Sequence, residues 1–199
     1  MARLDPGVHA ETDWRIHELA RDFVVEDLWS FRTPGAGPGD FPVMLAAIRA
    51  AGGMDNQPWL ARFLFAFRWK LGAVLGWDKP SAGLGSRIPA LRDRLPSDLP
   101  IPEPRPGDEQ LPIKFIYELE REAAGEIANK TVHGVMHLGW AQRDDGDFEL
   151  RMAVLVKPNG AFGRCYMAAI APFRYLVIYP AMTRRWEQAW LDREQLLAR

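Results

Sequence analysis

The sequence TVHGVMHLGWAQRDDGDFELRMAVLVKP, residues 131–158, decides the fold of this chain. Apolar and polar side chains alternate on both sides of Asp145-Gly146, as they do in strands with one buried face. An Asp-Gly pair is typical of tight hairpin turns, because glycine adopts a positive φ at little cost. The stretch therefore predicts antiparallel strands at 131–142 and 147–157, with a positive φ at Gly146.

Two earlier segments show the same alternation. Residues 112–120 place Phe115 and Tyr117 on the side opposite to the glutamates that follow them. In residues 13–20, tryptophan and isoleucine alternate with arginine and histidine. A period of two is typical of a half-buried strand. We therefore expect four strands in one antiparallel sheet that has a single apolar face.

Other apolar patterns predict helices. The C-terminal segment, residues 161–197, is apolar at helical spacing, and Pro172 and Pro180 should each end or bend its helix because proline has no amide hydrogen. Asp22 is a suitable N-cap for a short helix. Three helices are predicted before the middle of the chain: 24–29, 40–51 and 57–74.

The middle of the chain is irregular. Residues 78–111 are rich in proline, glycine and charge, and they predict a connector with one helical turn near 88–94. A chain of 199 residues with 48% apolar residues suits one domain. We predict a single α+β domain over residues 1–199, in which the sheet is closed by the C-terminal helix. Helices are inserted at about 40–76, and the connector follows.

Composition limits the class of partner. The chain has 25 Lys and Arg against 26 Asp and Glu, a net charge of −1 that provides no general attraction to nucleic acid. No run of about 18 uncharged apolar residues predicts a transmembrane helix. Cys165 is the only cysteine, and no apolar leader follows Arg3, so we expect a cytoplasmic protein.

Residues 59–77, WLARFLFAFRWKLGAVLGW, allow two interpretations. The apolar stripe is wide enough for a helix packed on the sheet or at a dimer interface, which is the interpretation we favour. The tryptophans at both ends and the three cations between them are also typical of a helix that lies at a membrane surface.

Two histidines and three glutamates are candidates for chemistry. On a helix, His133 and His137 would share a face and could bind zinc, but on a strand they lie about 13 Å apart. We therefore expect no metal and a polar pair on the sheet. Glu118, Glu120 and Glu122 could supply carboxylates for acid–base catalysis. The alternation places Glu118 and Glu120 on the solvated face, opposite to Phe115 and Tyr117, instead.

The segment after the last strand holds further polar candidates. Arg164 and Tyr166 could offer a cation and a hydroxyl to an anionic ligand head, or could pair and pack locally. Arg164 could also lower the pKa of the Cys165 thiol, but no base stands near it in the sequence. The glycine-rich residues 83–86 are too short for a nucleotide-binding loop, and we expect no cofactor.

Several short runs resemble the DUF2867 family of uncharacterised, largely bacterial proteins. They are TVHGVMHLGW at 131–140, VKPNG at 156–160, RCYM at 164–167 and APFR at 171–174. Six spaced residues carry most of the resemblance: Gly160, Gly163, Arg164, Tyr166, Pro172 and Phe173. Residues 14–29 are similar to the start of this family and of the wider START-like (SRPBCC) helix-grip proteins, whereas residues 75–110 resemble nothing we can name.

The resemblance implies a helix-grip fold, in which a curved antiparallel sheet wraps a long C-terminal helix around an apolar cavity. Relatives with that architecture bind lipids, sterols or polyketides, and some catalyse cyclisation or hydrolysis. A fold does not by itself fix a function. The resemblance nevertheless makes a small apolar ligand the partner that we expect.

We expect the ligand to contact the apolar side of the strands and a hydroxyl of the C-terminal helix. The six residues assigned to that site are Phe115, Tyr117, Met136, Trp140, Met152 and Tyr166. One alternative is a cyclase-type or hydrolase-type enzyme that uses the same cavity, and another is a structural or interaction domain with a filled core. Binding ranks above catalysis because no residue set supplies a nucleophile, a base and an oxyanion donor together.

Overall fold

The computed structural model describes residues 2–52, 90–103, 113–128, 132–158, 167–168 and 170–198. Within these ranges the chain is α+β, with one six-stranded antiparallel sheet in the order β1-β2-β6-β5-β4-β3. Its strands are β1 (Ala2–Leu4), β2 (Val24–Phe31), β3 (Lys114–Glu118), β4 (Glu122–Ala128), β5 (Val132–Gln142) and β6 (Phe148–Pro158). Its α-helices are α1 (Ile16–Leu19), α2 (Phe41–Ala50), α3 (Tyr179–Leu191) and α4 (Arg193–Leu197).

The central hairpin confirms the prediction from residues 131–158. Strands β5 and β6 pair without a register shift from Val132 opposite Pro158 to Gln142 opposite Phe148. Gly146 in the turn between them has a φ of 91°. Its amide donates a hydrogen bond to the Arg143 carbonyl at 3.0 Å, which closes the turn.

The N-terminal predictions are wrong in type. Residues 13–20 contain the short helix α1 instead of a strand, and residues 24–29 belong to β2 instead of a helix. Strand β2 pairs on one side with β1 and on the other with β6, and it buries Leu28 and Phe31. Tertiary pairing and burial therefore outweigh the short local pattern, as they commonly do for strands.

Strand β4 was not predicted. Its sequence, EAAGEIA, holds glutamate, alanine and glycine, which are depleted in strands. It pairs along its whole length with β5 and on its other side with β3. Pairing with two neighbours, rather than local propensity, accounts for its extended conformation.

Both faces of the sheet are covered, so the expectation of a single apolar face is wrong. On the face we call the helix face, α2 and α3 pack against the sheet through a cluster that includes Trp29, Phe31, Trp140, Leu150, Met152, Phe41, Met44, Tyr179, Trp186 and Trp190. On the face we call the N-terminal face, residues 6–20 and 91–99 pack through Trp14, Ile16, Leu19, Leu91 and Leu99. The second layer lets the sheet bury side chains that would otherwise face water.

The C-terminal segment is helical, as predicted, where the structure describes it. A π-helical turn at Arg174–Ile178 leads directly into α3. Pro180 stands in the first turn of α3, and its ring and missing amide do not fit a regular α-helix that would continue from Leu176. The wider π turn before Pro180 is the bend that the sequence predicts there.

The remaining predictions have mixed outcomes. Helix α2 confirms the helix predicted at 40–51, and a 3-10 turn at Leu91–Arg94 lies where one helical turn was predicted. The predicted helix at 57–74, the membrane-surface alternative for 59–77 and most of the connector lie outside the described residues. Among the helices that the structure describes, none is long and apolar enough to cross a bilayer.

Candidate functional site

The structure separates the residues assigned to the ligand site. Phe115 pairs with Gly125, which pairs with Met136, so both side chains belong to the helix face, where Met136 is half-buried. Trp140 and Met152 are buried on the same face. Tyr166 lies outside the described residues, as do Arg164 and Cys165.

Tyr117 lies on the opposite, N-terminal face. A register shift in β3 falls between Phe115 and Tyr117, which is a β-bulge. Ile116 and Tyr117 consequently both pack into the N-terminal face. A bulge changes the face of every later residue in its strand, so strict alternation assigned Tyr117 to the wrong side.

The three candidate glutamates have three different environments. Glu120 is exposed, as expected. Glu118 is half-buried and forms an ion pair with Arg49 of α2 at 2.5 Å, so the prediction of a solvated carboxylate is wrong for this residue. Glu122, a candidate carboxylate to which the alternation assigned no face, is buried on the N-terminal face. This buried carboxylate is the centre of a cluster of hydrogen bonds on the N-terminal face.

Two histidine–glutamate pairs cross from β5 to β4 on the N-terminal face. His137 Nε2 lies 3.0 Å from Glu122 Oε2, and His133 Nε2 lies 3.0 Å from Glu126 Oε2. In the register, Glu122 is opposite Gly139 and His137 is opposite Ala124, so the pair is a diagonal one. The two histidines lie four residues apart on β5, and the two glutamates lie four residues apart on β4. Residues four apart on a strand share a face, so both pairs lie on the same side of the sheet.

The His137–Glu122 pair extends outward through two more imidazoles. His9 Nε2 lies 3.0 Å from His137 Nδ1, and His17 Nε2 lies 3.0 Å from His9 Nδ1. His9 comes from the 3-10 turn at Pro6–Glu11 and His17 from α1. His9 and His137 are buried, whereas His17 is half-exposed. The three histidines therefore connect the surface to a buried carboxylate.

Glu122 accepts two further hydrogen bonds. The Arg15 amide donates to Oε1 at 2.9 Å, and the Tyr117 hydroxyl donates to Oε2 at 2.8 Å. Burial by itself raises the pKa of Glu122, but the hydrogen bonds from His137, the Arg15 amide and Tyr117 outweigh it and lower that pKa. Burial and the Glu122 charge raise the pKa of Tyr117, which favours its donor form.

Burial opposes a positive charge on the inner histidines. It lowers the pKa of His9 to about 3, with further lowering by His137 and His17. It also lowers the pKa of His137, although Glu122 opposes that shift. Neutral imidazoles and an ionised Glu122 are therefore the states that the folded protein favours near neutral pH.

The second pair holds the other half of the N-terminal layer. Glu126 Oε2 accepts a hydrogen bond from the Leu91 amide at 3.0 Å, and the ring of Phe23 packs on His133. Burial raises the pKa of Glu126, but its hydrogen bonds with His133 and the backbone around Leu91 lower it overall. This pair therefore attaches residues near 91 to the sheet.

The helix face has its own polar cluster, centred on the fully buried Asp27. Tyr175 and Tyr179 donate hydroxyl hydrogen bonds to its two carboxylate oxygens at 2.5 and 2.7 Å. Arg174 Nη1 lies 3.0 Å from Asp27, and its Nη2 lies 3.2 Å from Glu26. Burial and the Asp27 charge raise the pKa of both tyrosines.

Two backbone irregularities build the Asp27 cluster. Strand β2 has a bulge between Val25 and Asp27, and the π-helical turn at Arg174–Ile178 carries Arg174 and Tyr175. β-Bulges and π turns are both frequent at functional sites, where they redirect side chains. Their meeting at one buried carboxylate makes this cluster the second candidate site.

Sequence reasoning missed most of these residues. His9 and His17 were not identified, although all four histidines of the chain lie on the N-terminal face. The available signal was the matching four-residue spacing of His133 and His137 and of Glu122 and Glu126. Among the described residues, no group of three or more histidine, cysteine, aspartate or glutamate side chains is arranged to hold a metal ion.

Comparison with known proteins gives one match. Residues 19–181 match DUF2867, a family described as proteins of unknown function. The matched range contains Glu122, His137 and the Asp27 cluster, whereas His9 and His17 precede it. The chain matches none of the curated proteins and none of the solved structures with which it was compared. Because the match spans most of the chain, this protein belongs to the DUF2867 family.

Proposed function

We propose that the protein binds a small, largely apolar molecule of the lipid or polyketide type on the helix face of its sheet, in a START-like fold. The strand order supports this proposal, because β2 lies beside the last strand, β6, and the others follow in reverse chain order. A helix then follows β6 and covers one face of the sheet. This order is the one we expect of a sheet that grips its C-terminal helix.

A partly exposed apolar wall supports the proposal. Met136 and Val154 on the sheet and Ile178 and Met182 on the helical segment are half-buried members of the helix-face cluster. Methionine adapts to ligands of different shape. Trp140 and Met152, in contrast, pack fully against neighbours such as Trp190, so they would form the closed end of the site.

Two unused hydrogen-bond donors carry the proposal. Among the described residues, Arg174 Nε, Trp29 Nε1 and Trp186 Nε1 are buried and have no hydrogen-bond partner, and the first two are the donors near Asp27. Trp29 packs on Tyr175 and Tyr179, so both donors belong to the surroundings of Asp27. An unpaired buried donor costs about 1–3 kcal/mol, which an acceptor on a ligand would recover. We infer that the ligand carries a carbonyl or carboxylate oxygen at one end of an apolar body.

An enzyme of the cyclase or hydrolase type is the second candidate. The two tyrosine hydroxyls on Asp27 favour it, because their raised pKa keeps each of them protonated beside the proposed acceptor oxygen. Because a raised pKa disfavours proton transfer, the contribution of such a tyrosine would be a hydrogen bond, turned from Asp27 to negative charge that develops on that oxygen. A filled core with no ligand is the remaining alternative, and the following experiment distinguishes it.

The test combines native mass spectrometry with binding of cis-parinaric acid, a fluorescent fatty acid. We expect a retained lipid-sized mass in protein from a heterologous host and saturable probe binding to the unloaded protein. Ile178→Trp, which fills the half-buried wall, should weaken probe binding at least tenfold. Leu176→Trp in the same π turn is the matched control, because Leu176 is 77% exposed.

Three results would contradict the proposal. A clean unloaded mass together with no probe binding to the parent protein would indicate a filled core. Equal probe affinity in Ile178→Trp and Leu176→Trp would place the probe elsewhere. Turnover of an ester or polyketide analogue that is lost in Tyr179→Phe would favour the enzyme instead.

A further inference from the structure

We propose that His17, His9 and His137 form a proton relay that accepts one proton for Glu122, and that a second proton loosens the layer formed by residues 6–20. This layer, which we call the N-terminal cover, lies on the N-terminal face, so the relay is separate from the proposed ligand site. Three hydrogen bonds, and the number of hydrogens that they hold, define the relay.

One acceptor fixes the hydrogens of the whole relay. The ionised Glu122 carboxylate only accepts, so His137 Nε2 must donate to it at 3.0 Å. His137 Nδ1 is then an acceptor, and His9 Nε2 must donate to it. By the same rule His17 Nε2 donates to His9 Nδ1. All three neutral histidines therefore carry their hydrogen on Nε2, and all three hydrogen bonds point toward Glu122.

This order allows a proton to enter without loss of a hydrogen bond. When His17 takes a proton at Nδ1, its Nε2 hydrogen passes to His9 Nδ1. The His9 Nε2 hydrogen then passes to His137 Nδ1, and the His137 Nε2 hydrogen passes to Glu122 Oε2. Each histidine gains one hydrogen and loses one, and Glu122 becomes neutral. The three hydrogen bonds persist with their direction reversed.

The relay has room for one added proton only. Each of its three gaps holds one hydrogen between two heavy atoms 3.0 Å apart, and the outer His17 nitrogen holds one more. A second added proton places two hydrogens in one gap, which two donors at that distance do not tolerate. Of the three gaps, the one between His9 and His137 joins the N-terminal cover to the sheet, so the cover loosens when the second hydrogen enters that gap.

The charged groups around the relay have partners outside it, so Glu122 is the carboxylate that the relay neutralises. On the N-terminal cover, Arg15 is paired with Glu18 and with Asp98. The other charged or titratable groups that face the relay are Tyr117 of β3, Arg121 over the Trp14 ring, Glu126 with His133, and Arg151 with Glu149. Tyr117 donates to Glu122 itself, and each of the other groups has a partner outside the relay.

An aromatic lid limits the access of water to the relay. The Trp14 ring packs on His137 at 5.2 Å and on His9 at 6.4 Å between ring centroids. Its close approach to the sheet requires Gly139, since a Cβ there would stand 2.8 Å from the ring. Half-exposed His17 is the outermost of the three imidazoles, so the proton enters there. Burial lowers the pKa of His9 to about 3 while the N-terminal cover is closed, and an opened cover returns the imidazole to its ordinary pKa of about 6.5. The second proton is therefore taken up as the cover opens, and acid below about pH 6.5 favours that opening.

Two measurements on the full-length chain test the proposal. Nitrogen-15 NMR of the imidazoles at pH 8 should show His9, His17 and His137 as Nε2–H tautomers. Hydrogen exchange, corrected for the intrinsic rate, should become at least tenfold faster in residues 6–20 between pH 7 and pH 4. Exchange in the β5–β6 hairpin should change much less over the same range.

Two variants distinguish the effect of the relay on hydrogen exchange from a nonspecific effect of acid on the fold. His9→Gln should make exchange in residues 6–20 insensitive to pH over this range. His133→Gln is the matched control, because His133 also pairs with a buried glutamate on the same face but lies outside the relay. An Nδ1–H tautomer at any relay position at pH 8 would overturn the proposal, even if His9→Gln does not fold. Identical pH dependence in the two variants would also overturn it.

Discussion

At the scale of single residues, a few positions decide whether the two buried clusters form. Gly139 has no side chain, and the Trp14 ring occupies the space that a Cβ would fill. Glu122 joins three chain segments through the His137 ring, the Arg15 amide and the Tyr117 hydroxyl. Such residues matter for what they allow their neighbours to contact rather than for their own hydrophobicity.

Gly139→Ala tests the closest of these contacts. The new methyl group would lie 2.8 Å from two Trp14 ring atoms, so the ring and the N-terminal cover must shift. We expect a loss of about 1–3 kcal/mol in the free energy of unfolding, measured by urea denaturation. Gly39→Ala is the control, since nothing lies within 4 Å of a Cβ there. Equal effects of the two changes would contradict this packing.

At the scale of elements, buried charge joins β2 to the C-terminal helical segment. Asp27 of β2 meets Arg174, Tyr175 and Tyr179 only because a bulge and a π turn redirect their side chains. Regular geometry on either element would move these groups apart. The irregular backbone is therefore part of the site and is not a defect of the fold.

Asp27→Leu should strongly destabilise the protein. It leaves the buried Arg174 guanidinium with only the partly exposed Glu26 as its carboxylate and removes the acceptor of the Tyr179 hydroxyl. Breaking a buried ion pair typically costs about 3–5 kcal/mol. Adding Arg174→Met should recover much of that loss, because the double variant buries no unpaired charge. Lys157→Met, in an ion pair whose side chains are 46% and 44% exposed, should cost less than about 1 kcal/mol. Urea unfolding measures all three; no recovery in the double variant would be contrary to expectation.

At the scale of the whole molecule, the sheet has two different layers. In the part of the chain that the structure describes, the helix face is mainly apolar, and its fully buried carboxylate is Asp27. The N-terminal face buries both histidine–glutamate pairs as well as apolar side chains. We therefore expect the two layers to respond differently to pH, since His9, His137, Glu122 and Glu126 all lie on the N-terminal face.

Stability should fall as the pH falls below about 6.5. The pKa of His9 and of His137 is lower in the folded protein, so below that pH the unfolded chain binds more protons at these positions. Glu122 and Glu126 also have lowered pKa values, so the stability they contribute is present above about pH 4.5 and is lost below it. Both effects therefore lower the free energy of unfolding as the pH falls.

Urea unfolding at pH 7.5, 6 and 5 measures this dependence. We expect the free energy of unfolding to decrease at each step, and the slope to be smaller in His9→Gln than in the parent protein. A constant free energy of unfolding between pH 7.5 and pH 5 would show that the buried imidazoles do not oppose protonation.

The sequence by itself determined the elements whose signals are local. The β5–β6 hairpin follows from alternation around an Asp-Gly turn, and helix α2 follows from its proline near the start and the glycines after it. The short runs around residues 131–174 were also enough to identify the family, which the match over residues 19–181 confirms. Each of these features depends on residues that are near one another in the chain.

Only the tertiary structure decided the rest. Strand β2 is extended because β1 and β6 pair with it, and the face of Tyr117 depends on a bulge within β3. His9 meets His137 across 128 positions of sequence, and Tyr179 meets Asp27 across 152. Local propensity and periodicity carry no information about such pairs, because the register between strands and the layer above each face set their distance.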